Sequence, residues 1–226
     1  KKIGTISVNE LYKISPLGTV SSFCTGLIHS AFFSLIAVYA TTSNFTLFET
    51  SILLFLSTIA GVIFQGPIGY FSDKFERRKV IVVTTLLSAL FALLAIIFGG
   101  ESLQNMYLSV KVPLSKIIFF ISVALYAGLC LPLFSLNLAH TNDYVAKEKF
   151  VAAGGGLQLI FGIGAIIGPI LCSLFMDIFN INGFFIFLIL SHLFIAIFGI
   201  YRMRVRESVD NPDSTFTPVP ATITPA

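Results

Sequence analysis

The segment GPIGYFSDKFERRKVIVVTTLLSALFALLAIIFGG, from Gly66 to Gly100, sets six charged side chains between Asp73 and Lys79 and then 21 residues with none. Just upstream, Thr50 to Ser72 is also uncharged over 23 residues. A hydrocarbon core about 30 Å thick is crossed by roughly 20 residues of helix. Apolar run, charged turn, apolar run therefore reads as two membrane spans joined by an interfacial turn. Strict alternation, the mark of a membrane barrel strand, is absent: Leu86 to Leu94 is apolar all round.

The pattern repeats along the chain. All 25 charged residues of the 226 lie outside six runs, Ile14 to Phe48, Thr50 to Ser72, Val80 to Gly100, Ile117 to Asn142, Phe150 to Met176 and Ile178 to Tyr201. Composition agrees, with 56% hydrophobic and 11% charged residues, against about 25% charged in ordinary soluble domains. The first run is about twice the length of a secretory h-region, so it reads as a span and not as a cleaved leader. Helices are predicted over Pro16 to Ala40, Ser51 to Phe71, Val80 to Gly99, Ile117 to Leu136, Gly154 to Phe175 and Phe184 to Tyr201. Cys24, Cys130 and Cys172 all fall within spans, as small apolar fillers with no metal-ligand spacing.

Loop charge sets the orientation. Lys1, Lys2, Lys13, Lys74, Arg77, Arg78, Lys79, Lys147, Lys149, Arg202, Arg204 and Arg206 fall on one side, and Lys111 and Lys116 on the other. Twelve against two places both termini in the cytoplasm of an inner-membrane protein. The expected organisation is a cytoplasmic linker and amphipathic entry at 1–15, a bundle at 16–201, and a basic segment with a disordered, proline-rich tail at 202–226. Asn44-Phe45-Thr46 matches a glycosylation sequon and is read as chance. Gly66-Pro67-Ile68 in the second helix recurs as Gly168-Pro169-Ile170 in the fifth, 102 residues on. On this topology the two helices run in opposite directions, as they would in two three-helix repeats inverted in the membrane.

The turn Gly69-Tyr70-Phe71-Ser72-Asp73-Lys74-Phe75-Glu76-Arg77-Arg78-Lys79 resembles the signature of the major facilitator superfamily, in which Gly, Asp, a basic residue, a second Gly and two basic residues join helices two and three. The second Gly is replaced by Glu76. A degenerate copy of this kind resembles the one between helices eight and nine, in the second half of the fold. Leu11-Tyr12-Lys13-Ile14-Ser15-Pro16-Leu17-Gly18 looks like the start of helix seven in the YcaD-like branch. The resemblance implies an all-α, polytopic membrane protein of six transmembrane helices, a 3+3 inverted repeat forming half of a 12-helix fold. It also implies a latch, in which Asp73 closes against helix five of the missing N-terminal half when the transporter opens outward.

The residue types suit such a turn on physical grounds. Gly69 lets two helices approach closely, and Asp73 can meet the partial positive charge at a helix N-terminus. Lys74, Arg77, Arg78 and Lys79 hold the turn at the interface, facing acidic groups or lipid phosphates. Gly164 and Gly168 form a GxxxG pair with Pro169 beside it, read as helix packing and a bend; Pro67 and Pro132 are expected to bend their helices similarly.

Polar groups within spans are costly and mark candidate paths. They are His29, Ser30 and Tyr39 in the first helix, Gln65 in the second, Tyr126 and Asn137 in the fourth and Gln158 in the fifth. His192 reads as structural and His140 as interfacial. No Asp or Glu lies within a predicted span, so in this chain only histidine could carry proton coupling, and His29 is the foremost candidate. The same poverty argues against a membrane-embedded hydrolase, and no phosphate-binding glycine loop, metal cluster or soluble basic face is present to suggest an enzyme, a cofactor or nucleic-acid binding. The reading is secondary transport of a small solute by alternating access, with the lipid bilayer, the solute and the missing six-helix half as partners. Its rivals are a six-helix protein acting as a homodimeric transporter and a non-transporting membrane scaffold subunit.

Overall fold

The computed structural model describes residues 6–99, 114–206 and 218, so the expectations for Lys1, Lys2, Lys111 and most of the tail lie outside the described residues. Every regular element among them is helical. The chain begins with a short helix α1 (Val8–Ile14), capped by the Ser7 hydroxyl, which accepts from Glu10 N at 3.2 Å. Then come α2 (Pro16–Thr42), α3 (Leu47–Lys74), α4 (Arg77–Phe98), α5 (Leu114–Cys130), α6 (Leu133–Asn142), α7 (Phe150–Phe179) and α8 (Gly183–Val205).

Most helices extend a few residues beyond the predicted spans. α3 starts four residues earlier than apolar periodicity suggests. A capping box drives this: Glu49 N donates to Thr46 Oγ1 at 3.2 Å and Thr46 N to Glu49 Oε2 at 2.9 Å. Asn44, in the sequon, has φ 60 and makes the turn before that cap. Asn tolerates this left-handed conformation better than most residues.

Pro132 departs from expectation, since it ends a helix instead of bending one. Leu131 N still donates to Ala127 O, and the ladder restarts with Leu136 N donating to Pro132 O. Proline has no N–H to continue the series, and its ring crowds the carbonyl four residues back. The break leaves carbonyls open within the bundle. Pro67 and Pro169 stand inside helices that continue past them.

The helices run between two ends of the bundle. At one end Arg77, at the start of α4, bonds Asp143 just beyond α6, Arg78 bonds the Arg206 carbonyl beyond α8, and Arg206 bonds the Ile14 carbonyl at the end of α1. The Asp73 turn and the Arg202 end of α8 thus share a face. At the other end an aromatic cluster closes the bundle, with Tyr39 stacked 5.7 Å from Phe119 and edge-on to Phe185 at 4.9 Å. Phe45 from the α2–α3 turn meets the same Phe119 at 5.5 Å.

Close helix approach is written in glycine. A Cβ at Gly26 would fall on the Phe161 carbonyl, and Cβ atoms at Gly164 and Gly168 would fall on the Phe23 and Leu27 carbonyls, so α2 and α7 touch backbone to backbone. Five segments are long and apolar enough to cross a membrane: Pro16–Thr42, Leu47–Lys74, Arg77–Phe98, Leu114–Asn142 and Lys147–Val205. The last is not one rod. A 3-10 turn, Asn180–Asn182, divides it, with Asn180 at φ 53.

Candidate functional site

On α2, Ser21, Thr25 and His29 are four residues apart and so lie on one face, with Ser22 beside them. All four are buried. The face meets the α5–α6 break. His29 Nε2 lies 3.0 Å from the Cys130 carbonyl oxygen, one of those near the Pro132 break. A carbonyl can only accept, so Nε2 carries the proton and Nδ1 presents a bare lone pair. Nδ1 has no partner.

One turn below, Asn137 Nδ2 donates to Thr25 Oγ1 at 3.1 Å, and Thr25 Oγ1 donates to Ser21 O at 2.7 Å. Asn137 Oδ1, Ser21 Oγ and Ser22 Oγ are buried and unpartnered. Buried polar atoms are nearly always satisfied, by protein or by water. Four such atoms, three on α2 and one on α6, are therefore the candidate polar contacts of this region.

The remaining path candidates separate into groups. Ser30 is half-buried against α7, its hydroxyl donating to Leu27 O at 3.3 Å, close to where a Cβ on Gly168 would stand. Tyr39 and Tyr126 have no accessible surface: Tyr39 belongs to the aromatic cluster, and Tyr126 Oη lies 3.3 Å from His192 Nε2. Gln65 is partly exposed on α3 and Gln158 is exposed on α7, and neither is brought to the His29 seam. His140, read as interfacial, is 3% exposed among arginines.

The motif turn divides into a buried and an open part. Gly69 is buried where α3 approaches its end. Arg77 is 9% exposed and ties three elements together. Its Nε donates to Ser72 Oγ at 3.2 Å, its Nη1 to the Ala139 carbonyl at 3.2 Å and to Asp143, and its Nη2 to Asp73 Oδ1 at 2.9 Å. Arg78 pairs with Glu76, the residue that replaces the second motif glycine. Asp73 is 42% exposed and Lys74 lies 4.4 Å over the Tyr70 ring, both turned outward.

Sequence reasoning missed Thr25, the Cys130 carbonyl, Gly26, Asp143 and Arg206. Two signals were available. Gly26 sits in a small-residue run, Cys24-Thr25-Gly26, and Asp143 is the lone acid directly after the fourth span on the same side as the motif. Nothing in the sequence announces a carbonyl freed by a proline.

Two larger surface grooves, beside α2, α7 and α8 and beside α3 and α5, are lined almost wholly by apolar side chains. Their polar lining is limited to Thr19 and Ser191 in the first and the Glu49–Lys116 ion pair in the second. No group of three metal-ligating side chains occurs among the described residues.

The family model described as Major Facilitator Superfamily matches residues 18–225. Among curated proteins the chain is similar to the MFS-type transporter YfkF of Bacillus subtilis, 27% identical over 82% of this chain and 44% of that protein. It is similar to the MFS-type transporter YE1530 of Yersinia enterocolitica, 23% identical over 91% of this chain and 47% of that one, and to YcaD of Escherichia fergusonii, 22% identical over 88% and 47%. The chain spans about half the length of these relatives. No solved structure matches it. Long apolar helices, a degenerate Gly-Asp-basic turn locked by a buried arginine, and a family match over most of the sequence lead to one assignment: the chain belongs to the Major Facilitator Superfamily, a family of membrane transporters and not of enzymes.

Proposed function

We propose that this chain supplies the C-terminal six-helix half of a secondary transporter that moves a small solute by alternating access, with the Asp73 end of the bundle in the cytoplasm. The packing pattern carries the reading. Counting α5–α6 as one span, the first three spans are α2, α3 and α4, and the last three are α5–α6, α7 and α8. The most extensive pairing is α2 with α7, and the corresponding pair under exchange of the two triplets, α5 with α3, is also among the most extensive. α4 with α8 maps onto itself, and α4 with α5 maps onto α8 with α2, both of which are in contact. An inverted repeat accounts for this correspondence.

The partner half would lie against α3 and α7. A Cβ at Gly66, Gly155 or Gly162 meets nothing within 4 Å, and Gln65 and Gln158 lie on these same two helices. Open glycines and amides suit a protein neighbour or a wet cavity better than lipid tails. The seam at His29 and Asn137 is proposed as the solute or proton contact.

The test is flux through the full-length protein in proteoliposomes. Asp73→Asn should leave insertion and stability near wild type, because an ion pair 42% exposed on the Asp73 side contributes little. It should slow transport about tenfold if the latch balances two states, the shift that ~1.4 kcal/mol produces. Unchanged flux kinetics would remove the latch. His29→Gln can keep a donor to the Cys130 carbonyl and should change substrate affinity or the pH profile, whereas His29→Ala should also lose about 1–3 kcal/mol of stability. If His29→Gln leaves both kinetic readouts unmoved, His29 is only a structural bond. Absence of any solute flux from the intact protein would favour a scaffold, and flux that requires two copies of this chain would favour a homodimer.

A further inference from the structure

A small half-open crevice, with room for about one small polar group at its mouth, lies at the charged end of the bundle, where the start of α2 meets the ends of α6 and α8. Arg78, Arg202 and Arg206 line it, with His140, Tyr144 and Ser15. Three arginines line it, and none of the lining residues is acidic. Among the described residues Glu76 balances Arg78 and also meets Lys79, and Asp143 pairs with Arg77, so Arg202 and Arg206 are the lining cations with no ion pair.

Two of the cations are fixed in place. Arg78 donates to the Arg206 carbonyl, and Arg206 donates to the Ile14 carbonyl at 2.7 Å while its guanidinium lies 4.3 Å over the Tyr144 ring. Arg202 is different. Its guanidinium has no ion pair or hydrogen bond among the described residues, and it is partly exposed at the crevice wall.

Two further observations point to an anion. α2 is 27 residues long and begins at Pro16 with no side-chain cap, so its partial positive end opens beside Ser15. His140 is 97% buried by complement of its 3% exposure, lines the crevice and makes no hydrogen bond among the described residues. Its only described contact of note is an edge-on one, 5.2 Å between ring centroids, with Tyr144. A buried imidazole, an arginine with no ion pair among the described residues and a helix start with no side-chain cap border one space and leave it with positive potential and hydrogen-bond donors.

We propose that this crevice binds a phosphate group, either the phosphodiester of an anionic lipid headgroup or a free phosphate. Guanidinium forks match tetrahedral oxyanions, and the Tyr144 and Ser15 hydroxyls supply neutral donors beside them. Basic pockets between helices at an anionic leaflet recognise headgroups by the same chemistry. The site lies apart from the His29 seam, and its occupancy does not depend on which solute, if any, is carried.

The experiment uses the full-length protein in nanodiscs. One arm titrates inorganic phosphate into discs of phosphatidylcholine alone, at ionic strength held constant with chloride. The other compares those discs with discs containing phosphatidylglycerol, and thermal midpoints are read in both. Arg202→Gln is the test variant, because Arg202 holds no other element in place; Arg202→Lys keeps the charge with fewer donors. The proposal expects a rise in midpoint with phosphate, with phosphatidylglycerol, or with both, weakened about tenfold in apparent affinity by Arg202→Gln and less by Arg202→Lys. A rise with phosphate alone assigns a free anion, and a rise with lipid alone assigns a headgroup. Phosphate also stabilises proteins nonspecifically by exclusion. An equal response in wild type and Arg202→Gln, or no response in either arm, overturns the site.

Discussion

Arg77→Gln is expected to destabilise the bundle by about 3–5 kcal/mol, the range for breaking a buried ion pair from one side. The size follows from what is left behind. Asp143 is 10% exposed and would keep its negative charge with its guanidinium partner gone. The Ala139 carbonyl and the Ser72 hydroxyl would each lose a donor as well. Arg77→Lys should recover only part of the loss, because an ammonium cannot hold Ser72, Asp73, Asp143 and the Ala139 carbonyl at once. The informative control is Arg77→Gln combined with Asp143→Asn, which removes both charges and should be more stable than Arg77→Gln alone. Unfolding in detergent by heat or by denaturing surfactant reads the series. An Arg77→Gln midpoint close to wild type would mean that the ion pair is not what joins α3, α4 and α6.

That prediction separates two jobs within one motif. Arg77 faces inward and fixes the turn, while Asp73 keeps 42% of its side-chain surface exposed at the same turn. A residue meant to meet a moving partner must be available, and one meant to hold the turn must be enclosed. Sequence spacing distinguishes neither. It gives both as a charged cluster between two apolar runs.

The extent of this fold legible from sequence follows from what lipid demands. Spans must be apolar and about 20 residues long, so charge gaps located the helices within a few residues. Cations collect at one face, and the meeting of Arg78 with the Arg206 carbonyl agrees with the grouping of the Asp73 turn and the Arg202 end. Helix ends were less legible because caps act locally: Thr46 and Glu49 extend α3 beyond its apolar run. The candidate site was legible only as residue types. His29 and Asn137 stood out as polar groups in spans, but their relation passes through Thr25 and a carbonyl near the Pro132 break. Gln65 and Gln158 stood out equally and lie on a different surface.

Gly168→Val should prevent α2 and α7 from docking and reduce the yield of folded protein sharply, whereas Gly162→Val on the same helix should leave this bundle intact. At Gly168 an added Cβ meets Leu27 O, Leu27 Cα at 2.8 Å and Ser30 Oγ at 2.6 Å. Only the serine can rotate away; the rest is backbone of α2, so the helices must separate. Overpacking of this kind costs about 1–3 kcal/mol when a core can adjust. Here the same separation would also open the contacts at Gly26 and Gly164, so the loss should reach or exceed the upper end of that range. Gly162 presents the opposite case, with nothing within 4 Å of its Cβ position. Substitution there removes a helix-weakening glycine, and its Cβ meets no neighbour among the described residues. Monodispersity and thermal midpoint should therefore distinguish the two positions. Transport by the full-length protein adds a second discrimination. If α7 presents Gly155 and Gly162 to a partner half, Gly162→Val should depress flux while the fold survives. If that face meets only lipid, flux should be unaffected, and α7 would not be the surface on which the halves meet.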